Sequence, residues 1–474
     1  MKKTIAFPNL ENKSFKERFI GDKKFYRLVL SVAVPIMIQN GITNFVGLLD
    51  NVMVGAVGTE QMSGVSIANQ VLMIFYLCVF GGLSGVGIFT AQYFGKNDLE
   101  GVRSTFRFKA WLVVAITAVF AVVYLLFGPQ FIALYINGDS DITDGAATLK
   151  YGAEYMKIIL ISFPASLVLN LYASTLRECG ETKVPMVAGI IAVLVNLGGN
   201  WLLIFGNLGC PALGSNGAAI ATVTSRYVEA AIVLIWAHTH QDKQLWIKGV
   251  YRTLRVPKKE IVQYVKKGMP LLLNETLWSA GMAVLTQCYS MRGINAIAGL
   301  NIANTINNCL NIVFVAMGSA VAIIVGQLLG AGKFEEAKDT DNKMMFFAIL
   351  SGLLTSALLV GASFFFPNIY NTNEEAKQLA SLFIIGYAVF TPQNAFMHCS
   401  YFTLRSGGKT IITFIFDSLS IWAVSIPIAF LLSRLTALPV IWIFVFVNIG
   451  DWVKVVLGYI LLKKNIWIQN IVAE

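Results

Sequence analysis

The stretch SIANQVLMIFYLCVFGGLSGVGIF, residues 66–89, runs for 24 residues without a charged side chain. At ~1.5 Å per residue a helix of this length is about 36 Å long, enough to cross a ~30 Å hydrocarbon core. It lacks the alternation over ~10 residues that marks a membrane barrel strand. Eleven comparable runs flank it. The twelve expected helices cover roughly 27–53, 62–93, 108–128, 150–173, 184–206, 214–237, 266–291, 299–329, 344–366, 378–402, 411–433 and 437–462. The 474-residue chain is 56% hydrophobic and 13% charged, with a mean hydropathy of +0.67. A soluble chain is nearer a quarter charged. The composition therefore describes an all-α polytopic membrane protein.

The first five residues of the opening stretch return as NIANT at 301–305, an offset of 235. The same offset lays Pro35 on Pro270, Gly58 on Gly293, Gln92 on Gln327, Gly95 on Gly330 and Glu100 on Glu335. LRECGETK (176–183) then matches LRSGGKTI (404–411) at an offset of 228. A collinear series across six helices reads as a repeat. The expected organisation is an N-terminal six-helix lobe at 1–238, a basic linker at 239–261 and a C-terminal six-helix lobe at 262–474. Six is even, so the two lobes share one orientation, a plan known among transporters that bind between or within the halves. The glycines of 80–89 allow close helix packing or bending, and Pro35, Pro164, Pro270 and Pro392 are candidate kinks.

The net charge of +10 raises nucleic acid as a partner, but its placement points to topology. With the amino terminus inside, 29 of the 36 Lys and Arg fall in inner segments. That bias puts both termini in the cytoplasm, N-in and C-in, with membrane lipids rather than nucleic acid facing the basic loops. MKKTIAFPNLENKSFKERF at the start is too polar for a signal peptide. The six cysteines (78, 179, 210, 288, 309 and 399) show no CxxC, and His238, His240 and His398 form no metal pattern, so neither a metal site nor a cofactor is expected.

A lone ionisable residue in a membrane helix faces a bundle interior or a wet cavity. Three carboxylates lack an obvious local partner: Asp50, Glu275 and Asp417. Asp50 lies roughly 30 Å along helix 1, in the outer half. Asn196 and Asn200 are one turn apart on helix 5, about 18 and 24 Å along, and Thr222 is about 12 Å down helix 6. These four can share the outer half of the first lobe as an ion-coupling set, able to hold a proton or a hard monovalent cation. The same asparagines read equally well as hydrogen-bonding glue between helices. Glu275 and Asp417 can form a second polar cluster in the other lobe, although Glu275 also reads as a helix-end acid at the interface. On helix 8, Asn301, Asn304, Asn307 or Asn308, and Asn311 share a face. That stripe suggests a water-filled substrate cavity, to which Asn40 is added, with Trp278 and Tyr289 as aromatic faces for a cation. Arg226 with Glu229, and Asp451 with Lys454, stand three residues apart and read as structural charge pairs.

These motifs together resemble the MATE family of multidrug and toxic-compound extrusion transporters. The residues that carry the likeness are VPIMIQN and LLDNVMVG in helix 1, GTEQMSGVSIANQ leading into helix 2, AQYFGKND, LRECGETKVP, VNLGGNWLLIFG, GSNGAAIATVTSRYVE and GMPLLLNETLW. The likeness spans nearly the whole chain, in the family's order. It implies a V-shaped pair of six-helix bundles that rock to expel cationic, amphipathic compounds in exchange for sodium ions or protons. It implies a functional acid at Asp50 and site residues at Asn196 and Thr222. Members with a defined first-lobe cation site carry aspartate where this chain has Asn200, so one carboxylate is replaced by an amide and Asp50 carries the charge alone. The family's helix 7 acid commonly stands farther from the helix's proline than Glu275 does from Pro270.

The expected function is a secondary antiporter of small organic cations, monomeric, in a bacterial plasma (inner) membrane. A lipid-linked oligosaccharide flippase of related two-lobe plan is the alternative, but it calls for a cationic cavity, and the embedded basic residues Arg226 and Lys454 have acidic neighbours. A membrane enzyme is disfavoured, since no HExxH or GxSxG occurs. A channel fits the asymmetric acids less well than a carrier.

Overall fold

The computed structural model describes residues 14–136 and 145–473. The basic residues Lys2, Lys3 and Lys13 of the topology count lie outside the described residues, as does the segment 137–144 between helices 3 and 4.

After a short capped helix, Phe15–Phe19, twelve long helical segments follow. They are α1 (Lys23–Gly55), α2 (Thr59–Gly95), α3 (Leu99–Ile136), α4 (Gly145–Glu178), α5 (Lys183–Leu203), α6 (Ser215–Thr239), α7 (Lys258–Ser290), α8 (Ile294–Gly330), α9 (Phe334–Ser363), α10 (Glu374–Ser406), α11 (Thr410–Leu435) and α12 (Val440–Lys463). Among the described residues eleven helices are long and apolar enough to cross a membrane. The remaining one, α7, is as long at 33 residues. It falls short in apolarity because it starts on a lysine-rich turn, earlier than residue 266, and carries Asn274 and Glu275 further along. Most helices overrun the apolar stretches by a few residues at each end, since polar first and last turns reach beyond the hydrocarbon region.

Local chemistry sets the ends. Asp22 caps α1 by accepting from Phe25 N at 2.7 Å. The repeated LRxxG motif is a helix stop. Gly180 N donates to Arg177 O at 2.9 Å and Glu181 N to Leu176 O at 2.8 Å; Gly408 N donates to Arg405 O at 2.8 Å and Lys409 N to Leu404 O at 3.1 Å. Both glycines hold positive φ, +86° and +72°, which closes α4 and α10 with the same paired turn. Of the expected kinks, Pro164 follows a 3₁₀ turn, Leu160–Ser162, that interrupts α4, while Pro35, Pro270 and Pro392 sit inside continuous helices.

Within the first lobe α2 packs on α3 and α4, α1 on α5, α5 on α6 and α4 on α6; the second lobe repeats this with α8 on α9 and α10, α7 on α11, α11 on α12 and α10 on α12. The lobes meet along α2 against α7, α8 against α1, and α2 against α8. Gly85 packs on the backbone of Gly268 across this interface, a separation that a side chain would forbid. Val29, Val32, Ala33 and Ile36 of α1 bury themselves against Ala316, Ala320, Ile323 and Ile324 of α8. Hydrogen bonds join the lobes at the end that carries Lys96, Lys183, Lys333 and Lys409, called here the basic end.

The segment 239–261 is docked as well as basic. Trp246, Ile247 and Val250 are buried against α3, α4 and α6. Arg103 and Arg107 of α3 donate to the carbonyls of Trp246 and Val250 at 3.0 and 2.9 Å.

Candidate functional site

Asp50 lies 27 residues into α1, toward the end opposite the basic one, where α1 faces α5 and α6. Asn196 and Asn200, one turn apart on the buried face of α5, are 3% and 0% exposed. Asn200 Nδ2 donates to Asp50 Oδ1 and to Asn196 Oδ1, the second at 3.3 Å. Asn196 Nδ2 donates to Thr222 Oγ1 of α6 at 3.2 Å. The four residues of the expected coupling set therefore form one hydrogen-bonded chain across three helices. The Asn200 amide fixes the Asp50 carboxylate from one side, and the buried Oδ1 of Asn200 has no protein partner.

Asp50 lines a cavity of about 330 Å³ inside the first lobe. Asn69, Tyr76, Tyr155, Asn196, Thr222 and the pair Arg226–Glu229 also line it, from α2, α4, α5 and α6. Arg226 Nη1 is 2.9 Å from Glu229 Oε2. That leaves the cavity with Asp50 and Glu229 against one guanidinium, a surplus of one negative charge, and with two tyrosine rings that can face a cation. A low-dielectric wall strengthens such a charge relative to water.

Sequence reasoning missed Asn69, Tyr76 and Tyr155 as cavity residues. The signal for Asn69 was present in SIANQ, whose asparagine is the counterpart of Asn304 in NIANT. The tyrosines carry no sequence mark that separates them from other aromatic core residues.

The residues expected around a substrate cavity do not gather at the first-lobe cavity. Tyr289 is 6% exposed and sits in an apolar core with Phe444. Asn304 Oδ1 accepts from Tyr387 OH at 2.6 Å inside the same lobe. Asn40 is half-buried, and Asn308 and Trp278 are exposed, but none of the three lines the first-lobe cavity. The wet stripe of α8 arises partly because Asn304 is spent on a helix-to-helix bond.

The second polar cluster is built between α7 and α11. Asp417 stands in a wide π-helical turn, Ile415–Leu419, a distortion frequent at functional sites. The α7 residue that reaches it is Asn274, which donates to Asp417 Oδ2 at 3.0 Å and accepts from Ser418 Oγ at 2.7 Å. Glu275, the residue expected there, packs its stem against Gly81 of α2 and shares the Tyr401 hydroxyl with Asn274, so it stands beside Asp417 in the same cluster. Lys454 pairs with Asp451 at 3.2 Å and also stands 4.0 Å from Asp417, so the expected charge pair is part of a larger cluster.

The MatE family profile matches residues 35–202 and 270–431, once in each lobe. The probable multidrug resistance protein NorM of Thermotoga maritima is 24% identical over 86% of this chain and 85% of its own. The multidrug resistance protein NorM of Vibrio cholerae is 24% identical, with 87% and 88% covered. The uncharacterized transporter YisQ of Bacillus subtilis is 22% identical, with 95% and 96% covered. An outward-facing multidrug resistance MATE family transporter of the MOP superfamily superposes with a TM-score of 0.79 at 18% identity, over 95% of this chain and 97% of that one. A MATE structure in the straight conformation gives 0.80 at 18% identity with the same coverage. The structural likeness carries the fold, and the profile, covering most of the sequence in two matching blocks, carries the family: this chain belongs to the MatE family, as a multi-pass membrane transporter.

Proposed function

We propose that this chain is a secondary antiporter that exports cationic, amphipathic compounds in exchange for protons or sodium ions, with Asp50 as the exchange site. The observation that carries the reading is the placement of Asp50. Its carboxylate lines an aromatic, net-acidic cavity and is hydrogen-bonded by the Asn200 amide, while Arg226 in the same cavity pairs with Glu229. The multidrug resistance names of the relatives support export of small organic molecules.

The residues suggest how exchange works. An ion on Asp50 neutralises the cavity's surplus charge and removes the attraction for an organic cation. Loss of the ion restores it. Ion and substrate then favour different states of one protein, which is all that antiport requires. Asn200 keeps the carboxylate in one orientation, and its unpartnered Oδ1 offers one further oxygen beside it. A hard cation prefers six or so oxygens, whereas Asn196 and Thr222 are already engaged with each other. The cage therefore favours the proton. Two lobes hinged along α1, α2, α7 and α8 would expose the cavity alternately to the two sides. The proposal puts the basic end in the cytoplasm, in keeping with the inward bias of Lys and Arg, and takes the working unit to be a monomer in the plasma membrane. The acidic cavity disfavours a flippase, whose pyrophosphate ligand needs cations.

Reconstituted vesicles loaded with a fluorescent organic cation, with proton and sodium gradients imposed separately, test this on the parent and on Asp50→Asn. Efflux driven by one gradient and lost in a folded variant is the expected result. A variant that transports like the parent removes Asp50 from the mechanism.

A further inference from the structure

Gln92 and Gln327 occupy equivalent places near the basic ends of α2 and α8, related by the offset of 235. Gln92 Nε2 donates to the carbonyl of Ser406, at the end of α10 in the second lobe, at 2.9 Å. Gln327 Nε2 donates to the carbonyl of Glu178, at the end of α4 in the first lobe, at 2.8 Å. Residues 178 and 406 are themselves counterparts at the offset of 228. The two bonds are thus one contact made twice across the pseudo-symmetry of the lobes. Gly95 and Gly330 let α2 and α8 cross there: a Cβ on Gly95 would stand 2.6 Å from the carbonyl carbon of Gln327, and a Cβ on Gly330 would meet the backbone of Gln92 in the same way.

The symmetry is broken by a segment that follows α12. Trp467 is 1% exposed in the interface core, and Val472 is 4% exposed against Val86 and Phe89 of α2. Asn470 Nδ2 donates to Gly330 O at 3.0 Å, which fixes the segment to its own lobe. From there it reaches the first lobe three times. Gln92 Nε2 donates to Gln469 O at 3.2 Å, Ile471 N donates to Gln92 Oε1 at 2.8 Å, and Lys96 Nζ donates to Val472 O at 2.7 Å. Gln92 therefore has both its amide donor and its carbonyl engaged by the second lobe. Gln327 has one such bond.

We infer that Gln92 and Gln327 are the paired gate residues of the basic end, and that residues 466–472 form a strap that locks the Gln92 side. The strap belongs to one lobe and grips the other, so the basic end opens only when it releases α2. Opening then starts at the single Gln327 bond and finishes at the strapped side. The inference rests on alternating access as proposed above, and two measurements separate the failure of one from the failure of the other.

The first bridges Lys96→Cys to Val472→Cys with a short, reducible bifunctional methanethiosulfonate, in a chain whose native cysteines are replaced by serine. Bridging is expected to lower organic-cation transport at least tenfold, and reduction to restore it. Bridged protein that transports at the unbridged rate overturns the lock. The second needs no substrate and no cysteine. Hydrogen exchange in the basic-end segments of α1 and α8 is compared in Gln92→Ala and Gln327→Ala. Exchange in Gln92→Ala at least threefold faster than in Gln327→Ala is expected, because only the first loses the strap. Equal exchange in the two variants overturns the strap's role, whatever the protein transports.

Discussion

The crossing of α2 over α8 makes a quantitative prediction for Gly95→Ala. The added methyl would lie 2.6 Å from the carbonyl carbon and 2.7 Å from the Cα of Gln327, and closer still to its carbonyl oxygen. Ordinary contact needs about 3.4 Å, so the helices must part by more than ~0.8 Å. The obstructing atoms are backbone, which no rotamer change can move aside. Overpacking of this kind costs about 1–3 kcal/mol. The cost falls only on the arrangement in which the basic end is closed, so the balance should shift toward the open one by about 5- to 150-fold. Gly361→Ala is the control, since nothing stands within 4 Å of its added carbon and alanine favours a helix interior. Spin labels on Lys183→Cys and Ile411→Cys, exposed counterparts at the starts of α5 and α11, report the distance between the lobes by pulsed electron resonance. Gly95→Ala should move the distribution to longer distances, and Gly361→Ala should leave it as in the parent. A parental distribution in Gly95→Ala would show that the crossing is not a contact of the closed state, and the gate argument would fall with it.

Lys454→Met should destabilise the protein by about 3–5 kcal/mol, because it strips the cation from Asp417 and Asp451 in a buried cluster. Thermal unfolding in detergent reads this, and adding Asp451→Asn should recover part of the loss. Asn196→Ala should leave the fold intact but lower transport by about tenfold, through loss of its bonds to Thr222 and Asn200. Vesicle efflux checks it against Asn304→Ala, whose partner is Tyr387 in the other lobe and whose transport should stay near the parental rate.

Much of this architecture was legible in the chain because membrane helices announce themselves locally. Apolar length gave the helices, and the offsets of 235 and 228 gave the two-lobe plan before any contact was known. The hydrogen-bonded set was legible from depth, since helix rise is constant and counting put Asp50, Asn196, Asn200 and Thr222 in the outer half of the first lobe. What depth cannot supply is azimuth. Helix 7 offered Glu275 for the second cluster, and the packing adds its neighbour Asn274, which bonds Asp417 directly. Tyr289 looked like a cation-facing ring for the same reason, until the neighbouring helices buried it. The strap was illegible because IWIQNIV has no pattern of its own. Its meaning comes from Gln92, which the repeat had marked without giving a reason.

The two lobes share a scaffold and divide the work by what each does with its acid. In the first, Arg226 is paired with Glu229, and Asp50 is bonded by the Asn200 amide at the wall of a cavity. In the second, the counterparts of that pair are exchanged in sign. Asp451 stands where Arg226 does, and Lys454 stands where Glu229 does, so a lysine is within reach of Asp417. Duplication supplied two equivalent bundles, and a reversal of charge at one i, i+3 pair gives Asp417 a lysine neighbour while Asp50 stays at a cavity wall beside an amide. On the proposed reading, that difference decides which lobe exchanges the ion and which supplies the rigid partner against which it rocks.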